Sequence, residues 1–445
     1  MSEISPAVGV SVTTEPVESG PALLRPLRIR DFRLLFTGET VSVLGDQFHF
    51  VALAWLALQL TGSGLALGTV LMTAAIPRAV FMLVGGAFSD RFSPRDLMLA
   101  SNAIRAVVVG VLAALVLSGR AELWHLYAFA GIFGVVDAFF YPALSTIVPM
   151  LVPDWQLSPA NALVQGSQQI MGLVGPALAG ALIAIVQTGP AFVIDAASFG
   201  VAALALVLIS GGRRHADPAA DADRPNVLAS IAGGVRAAWA DPAVRAMVVL
   251  IAAFNFAFTG PVSVGFAFLA DHRFDGGPAA FGLLFSAFGG GAVMGAIVAG
   301  SIQRLRHLGA IFMAIAVALG IGLALIGLAP TLPVAIGIIA VMGVLIGFIN
   351  VQAIAWLQSR VPDDLRGRVM SLVTLASIGL APVSLAIAGA LVDLGAVTLT
   401  FVAAGAIVIA AALAGFAWGV PTKMVWPDEG SPEGQSRRRD RGAGS

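Results

Sequence analysis

Twelve apolar runs, each about long enough to cross a bilayer and separated by short polar punctuation, fill the chain from Phe32 to Gly419. They lie near 32–60, 65–89, 96–118, 123–148, 158–186, 190–210, 244–270, 279–302, 308–328, 332–358, 364–392 and 396–419. Lipid offers no water to backbone N–H and C=O groups, so such runs must close their hydrogen bonds within helices. Mean hydropathy is +0.92 and charged residues make up 11% of the chain, against roughly 25% in soluble domains. The expected fold is all-α and integral to the membrane. The chain has no cysteine and five scattered histidines, which removes disulfide and thiolate chemistry. There is no H-E-x-x-H cluster, Walker A segment or nucleophile constellation. An enzyme, a cofactor, a metal site and a nucleic-acid partner are therefore not expected.

Residues 211–243 form the one long interior polar segment and divide the spans six and six. The expected organisation is a disordered tail over 1–31, a six-helix bundle over 32–210, a linker over 211–243, a second bundle over 244–420 and a disordered tail over 421–445. Val227, Ile231, Val235 and Trp239 recur every four residues in the linker, a spacing that suits a short surface helix. The first twenty residues carry Glu3, Glu15 and Glu18 and no basic run, unlike a signal peptide. Arginines cluster before span one, after spans two and eight, in the linker, between spans ten and eleven, and in the last tail. Arg120 and Arg273 fall in loops on the opposite side. The positive-inside rule then expects both termini in the cytoplasm of a bacterial inner or plasma membrane.

The halves also match in sequence at an offset of 209 residues. Gly134 matches Gly343, Phe139 matches Phe348, Val152-Pro153-Asp154 matches Val361-Pro362-Asp363, and Ala179-Gly180-Ala181-Leu182 matches Ala388-Gly389-Ala390-Leu391. Two pseudo-symmetric six-helix bundles follow. Related halves with a site between them are an arrangement known among secondary transporters.

After span two the chain reads GGAFSDRFSPRDLML. This resembles the cytoplasmic loop motif of the major facilitator superfamily, roughly G-x-x-x-D-R-x-G-R-R, with Gly86, Asp90, Arg91 and Arg95 in matching places; Ser93 stands where glycine is usual. GLVGPALAG resembles the span-five antiporter motif through Gly175, Pro176 and Gly180, with Ala179 replacing a glycine. FRLLFTGETVSVLGDQF and the VPD-containing stretches resemble the branch that includes macrolide-type drug and siderophore exporters. The resemblance implies the major facilitator fold and a cavity lined by spans one, four, seven and ten. It also implies a gate at which Asp90 faces the start of span eleven, where Arg366 lies. The span-four arginine common in drug antiporters is absent, and Asp137 stands in that span instead.

Ionisable residues at membrane depth are functional candidates, because a charge at mid-bilayer costs roughly 2.5–3.5 kcal/mol on insertion scales. Glu39, Ser42, Asp46 and His49 form one helical stripe on span one. Asp46 lies near the midplane, about 14 residues or ~21 Å beyond Phe32. A desolvated carboxylate can hold a proton and lose it when water or a cationic substrate arrives. Asp46 is the leading proton-coupling candidate, with Glu39, Asp137 and His49 behind it. The competing reading of Asp46 is a structural pair with Arg78, and Arg105 reads as a charge partner or an anchor that snorkels to the inner leaflet. Tyr141, Gln165, Asn255, Thr259 and Asn350 are cavity candidates, and Phe48, Phe50, Phe254 and Phe258 are among the aromatics suited to a bulky substrate. The expected function is secondary active export of a bulky amphipathic small molecule (drug, macrolide or siderophore) coupled to protons, by a chain acting as a monomer in the lipid bilayer. An importer, a sodium-coupled transporter of this fold, and a nontransporting receptor or assembly protein remain open alternatives at this point.

Overall fold

The computed structural model describes residues 22–89, 93–211, 235–236, 239–302, 305, 307–361 and 363–424. Of the expected disordered tails over 1–31 and 421–445, residues 1–21 and 425–445 lie outside the described residues, as do most of the linker with its surface helix and the motif residues Asp90 and Arg91; within the described parts Ala22–Arg28 form a 3-10 helix, Arg30 opens the first span and Val420–Lys423 form a short helical turn. Within them no strand appears, and twelve helical spans are long and apolar enough to cross a membrane.

The helices are α1 (Arg30–Thr61), α2 (Gly64–Ser89), α3 (Pro94–Leu117), α4 (Leu123–Leu151), α5 (Leu157–Val186), α6 (Thr188–Leu208), α7 (Pro242–Gly260), α8 (Gly277–Ser301), α9 (Leu308–Leu328), α10 (Leu332–Arg360), α11a (Asp363–Ile378), α11b (Ala381–Asp393) and α12 (Val397–Ala417). Starts follow local chemistry. Ser93 caps α3 by accepting from the Asp96 N–H, and Asp241 caps α7 by accepting from the Ala243 N–H, each just before a proline that has no N–H to satisfy. An even number of crossings brings both ends of the described chain to one face, here the terminal face; the opposite one is the far face.

Two spans depart from the uninterrupted helices expected. The eleventh breaks at Gly379-Leu380, where Pro382 in the first turn of α11b prevents α11a from running on. The seventh continues beyond Gly260 through two π-helical turns, Pro261–Gly265 and Leu269–Arg273. Pro261 lacks the N–H that would continue the regular ladder. Ser384 of α11b stitches this region, donating its hydroxyl to the Phe256 carbonyl and accepting the Gly260 N–H at 2.8 Å. The two broken spans support each other there.

The sequence repeat reappears as geometry. Helices α4 and α10 begin and end 209 residues apart, and so do α6 and α12. Within the first bundle, Gly134 of α4 lies against the backbone of Ala74 in α2. In the second, its counterpart Gly343 of α10 lies against Phe288 and Gly291 in α8. Between the bundles there are two seams. At one, a side chain on Gly180 of α5 would strike the Pro278 carbonyl, and one on Gly282 of α8 would strike the Pro176 carbonyl. At the other, a side chain on Gly389 of α11b would meet the Gly64 carbonyl, and one on Gly68 of α2 would meet Leu385. Gly180 and Gly389, like Pro176 and Leu385, are 209 residues apart. In lipid no hydrophobic force drives helices together, so close packing of small residues supplies the attraction.

Both seams lie toward the far face, and one carries a polar clamp. Asp393, the last residue of α11b, accepts the Ser63 hydroxyl at 2.6 Å and the Leu65 N–H at 3.2 Å, and it also accepts the Gly64 N–H. A carboxylate from one bundle thus caps the N-terminus of α2 in the other and meets the positive end of its dipole. At the other seam the residue 209 positions earlier is Ala184.

On the terminal face, Arg360 at the end of α10 holds Asp241 at the start of α7, with Nε to Oδ2 at 2.9 Å. Partial burial alone would raise the Asp241 carboxyl. The hydrogen bond from Arg360, the N–H bonds of the helix start and the Arg360 charge outweigh it and hold the group below its ordinary value.

Two predictions follow from these contacts. Asp393→Ala removes the clamp; nitroxides on Arg120→Cys and Leu399→Cys, one in each bundle and the only thiols in the chain, are expected to gain a longer distance component in pulsed electron spectroscopy. A group whose folded pKa is depressed stabilises the fold above its unfolded value, near 3.9, and loses that contribution as pH falls through the lower folded value. The unfolding temperature of the natural protein should therefore drop more steeply below about pH 4 than that of Asp241→Asn, as followed by circular dichroism.

Candidate functional site

A cavity of about 580 Å³ lies between the bundles, within the range of small-molecule sites, roughly 300–1,000 Å³. Its walls are unlike each other. The first bundle contributes Asp46, Gln47, His49, Arg78, Asp137 and Tyr141, whereas the polar residues of the second are Thr259 and Ser263. Phe50 and Phe285 form an apolar wall, their rings 5.0 Å apart and edge to face.

The charged wall is built around Arg105 of α3. Its side chain is 2% exposed and donates from Nη2 to Asp137 Oδ1 at 2.6 Å. The guanidinium carbon sits 5.1, 4.5 and 5.4 Å from the ring centres of Phe133, Phe140 and Phe199, so aromatic faces replace water around the cation. The expectation that Arg105 snorkels is corrected here: Asp137 on α4 gives it a buried anion to pair with. The other oxygen of Asp137, Oδ2, lies 3.1 Å from Arg78 Nη1. Arg78 is half-exposed in the cavity, 5.3 Å from the Tyr141 ring centre. One carboxylate therefore bridges a sealed arginine and a cavity arginine.

That bridge also removes the competing reading of Asp46, since Arg78 pairs with Asp137 instead. Asp46 lines the cavity, and its Oδ1 is buried without a hydrogen-bond partner. Glu39, two turns toward the terminal face, is 5% exposed and interacts electrostatically with Arg105 and Asp137.

His49 brings in a residue that the sequence reading left out. Its Nδ1 lies 3.0 Å from Oδ2 of Asp195 on α6, which is completely buried. The contact is an ion pair when the imidazole carries a second proton. The His49 ring stacks on Phe133, with centres 4.6 Å apart, on the same ring that borders Arg105. The available signal was packing: a side chain on Gly38 would meet Ala202 and Ala205, and one on Gly45 would meet Ser198 and Asp195. A small-residue stripe on α1 facing α6 puts Asp195 beside His49.

The remaining candidates separate. Thr259 joins the central cavity, whereas Asn255 and Asn350 line a second cavity inside the second bundle. Gln165 is exposed and lines neither cavity. Of the gating motif, Gly86 lies within α2 and Arg366 within α11a. Arg95 is buried and donates to the carbonyls of Leu206 and Val207 at 2.7 and 2.8 Å, capping the end of α6 within its own bundle. The antiporter-like trio divides: Gly175 leaves room for Gln47 of α1 within the first bundle, while Pro176 and Gly180 meet α8 at a seam. Among the described residues no group of acidic, histidine or cysteine side chains has metal-site geometry.

The family model described as Major Facilitator Superfamily matches residues 35–383. Multidrug efflux pump Tap of Mycolicibacterium fortuitum is 27% identical over 377 residues, covering 83% of this chain and 91% of the relative. Macrolide efflux protein A of Streptococcus pyogenes is 23% identical over 385 residues, covering 86% and 94%. Among solved structures, a POT family transporter in complex with 5-aminolevulinic acid superposes with a TM-score of 0.70 at 15% identity, over 90% of this chain and 96% of that one. An inward-facing, unoccupied bacterial homologue of the human lysosomal transporter Spinster gives 0.63 at 15% identity, over 92% and 100%. At these identities the structures show the same fold.

Breaking a buried ion pair from one side typically costs about 3–5 kcal/mol, because the partner charge is stranded. Asp137→Ala is expected to lower the thermal unfolding midpoint of the detergent-purified protein sharply. The double variant Asp137→Leu/Arg105→Met, which removes both charges, should recover much of the loss.

Proposed function

The chain belongs to the major facilitator superfamily, and from that premise we propose that this multi-pass membrane transporter exports a bulky amphipathic small molecule in exchange for protons, by alternating access. The observation that carries the reading is Asp46: a mid-depth carboxylate facing the central cavity, with one oxygen buried and unpartnered. Four carboxylates occupy the first bundle's interior (Glu39, Asp46, Asp137 and Asp195) against the two arginines Arg78 and Arg105 and the titratable His49. Fully ionised, with a neutral histidine, the group would hold two uncompensated negative charges in a low-dielectric bundle, where such charge is costly. Binding protons, or a cationic group of the substrate, removes that cost. A carboxylate that accepts either one makes the two mutually exclusive, which is the requirement for exchange.

With both termini in the cytoplasm, as the arginine distribution favours, the far face is extracellular. The closed far-face seams then correspond to a state that admits substrate from the cytoplasm and releases the Asp46 proton there. Opening the opposite way would let an external proton displace the substrate. The two curated relatives, both with efflux in their names, support the export direction. The working unit in this reading is a monomer in the cell membrane, since one chain holds both halves of the cavity.

Asp46→Asn keeps the shape and removes the exchangeable charge. In inside-out vesicles with an imposed pH gradient, the natural protein is expected to drive uptake of a macrolide or an amphipathic dye cation, and Asp46→Asn to abolish it while keeping the natural unfolding temperature. Undiminished gradient-driven uptake by Asp46→Asn would sink the coupling role, and uptake driven by sodium alone would replace the proton.

A further inference from the structure

The second cavity lies within the second bundle, among α7, α9, α10, α11a and α12, and has a volume of about 310 Å³. Its position follows from the repeat. Asp137 and Tyr141 of α4 line the central cavity; 209 residues on, in the helix with coincident bounds, stand Ile346 and Asn350 of α10, which line this chamber. Asp195 of α6 becomes Ala404 of α12, and α9, the counterpart of the helix that carries Arg105, has no charged residue. In the first bundle this interior is filled by a guanidinium, its carboxylates and three phenylalanine rings. In the second the charges are gone, and Phe254 and Phe312 line the space without filling it. Ala316, Ala353 and Ala411 border the chamber, so the space remains open.

No charged residue lines it. Met247, Met313 and Met424 do, flexible and polarizable side chains that adapt to varied apolar shapes. Its polar atoms are few. Asn255 donates its amide to the Ile251 carbonyl at 2.9 Å, leaving its side-chain oxygen as an acceptor, and Ser377 donates to the Val373 carbonyl at 2.9 Å. Asn350 is exposed on the chamber wall. An apolar volume with a few fixed hydrogen-bonding points is the general form of a small-molecule site. The chamber also adjoins the central cavity: Asn255 faces one and Thr259, a single turn along α7, faces the other, while on the eleventh span Ser377 and Ile378 divide in the same way.

We propose that this chamber is a binding site for the uncharged, apolar body of the transported molecule, distinct from the charged wall that handles its proton or cationic end. The identity of the occupant rests on the exporter reading; the existence and neutral selectivity of the site do not. A substrate spanning both compartments would present its apolar part to the second bundle and its polar part to the first. Uncharged molecules would then be held without engaging Asp46.

The chain's lack of cysteine permits a direct test with single introduced thiols. Ala353→Cys reports on the chamber and Thr259→Cys on the central cavity; both are alkylated with N-ethylmaleimide in purified, delipidated protein. The uncharged probe N-phenyl-1-naphthylamine, at about ten times its Kd, leaves roughly one site in eleven empty. It should slow alkylation of Ala353→Cys about tenfold and change Thr259→Cys little. The same protection should persist with Asp46→Asn added and disappear with Ala316→Phe added, with the unfolding temperature confirming that each variant folds. Equal protection at both thiols, absence of protection, or protection that survives Ala316→Phe overturns the proposal. So does full protection of Ala353→Cys by dioleoyl phosphatidylcholine nanodiscs alone with no further effect of the probe, which would make the chamber a lipid acyl-chain site. Retained probe protection alongside active transport by Asp46→Asn would remove the coupling role and leave the chamber standing.

Discussion

A guanidinium sealed inside a helical bundle constrains everything around it. Arg105 is 2% exposed, cut off from bulk solvent, so its surroundings must neutralise it. Asp137 does so at 2.6 Å, and three aromatic faces line the remaining sides. Because Asp137 also contacts Arg78 at the cavity wall, the sealed charge is electrically linked to the solvent-facing one. Any change in ionic content of the cavity is felt at Arg105, and through it at Glu39 and Asp46, both within its electrostatic reach. The shared Phe133 ring extends the assembly to His49 and Asp195. This is one connected network, and a proton placed at one member alters the balance at the others.

The seams supply what such a network needs mechanically. Glycines at Gly64, Gly68, Gly180, Gly282 and Gly389 let backbones from the two bundles touch near the far face. Contacts of this kind are shape-dependent and largely non-directional, so two rigid bundles can part along them at the expense of few polar bonds; at the α5–α8 seam one such bond runs from the Ala177 N–H to the Ser286 hydroxyl at 2.9 Å. The Asp393 clamp adds a charged, multiply bonded contact at the α2–α11b seam. Its three donors are the free end of α2, which water at the membrane surface can also satisfy. The clamp can therefore open at modest cost while still selecting one closed geometry.

Much of this architecture is legible in the sequence, for reasons that differ between levels. Span number and bundle relationship could be read because lipid forces long apolar helices and because the repeat survives at a fixed offset, visible in Gly134 and Gly343 and in the two AGAL stretches. The stripe of Glu39, Asp46 and His49 was readable from helical periodicity. Partner choice was not: Arg78 and Arg105 both meet Asp137 because α2, α3 and α4 converge there, a tertiary fact that spacing along a single helix does not encode. Asp195 escaped because it lies toward the far-face end of α6, away from the mid-depth stripe of α1, whereas the small residues of α1 bring it beside His49. The break at Gly379-Leu380 was signalled by Pro382 but obscured by the unbroken apolar character around it. Arg95, read as part of a gate through its motif, proves in this conformation to be occupied with the end of α6.

The repeat also explains why the halves diverge where they do. Seam positions are tied to both bundles at once, so Gly180 and Gly389 keep matching surroundings. Interior positions answer only to their own bundle. Asp137 can therefore become Ile346, and Asp195 can become Ala404, provided the whole ionic group goes together; a lone survivor would be a buried unpaired charge. The second bundle shows the result of complete removal: no charge lines its interior cavity, and the vacated volume is open, apolar and bordered by methionine. On the proposed function, loss of the network in the second bundle leaves proton chemistry to the first and frees the second to hold apolar mass. A molecule with one polar end and one greasy body is the kind of cargo that two unlike halves of a common ancestral plan can grip together.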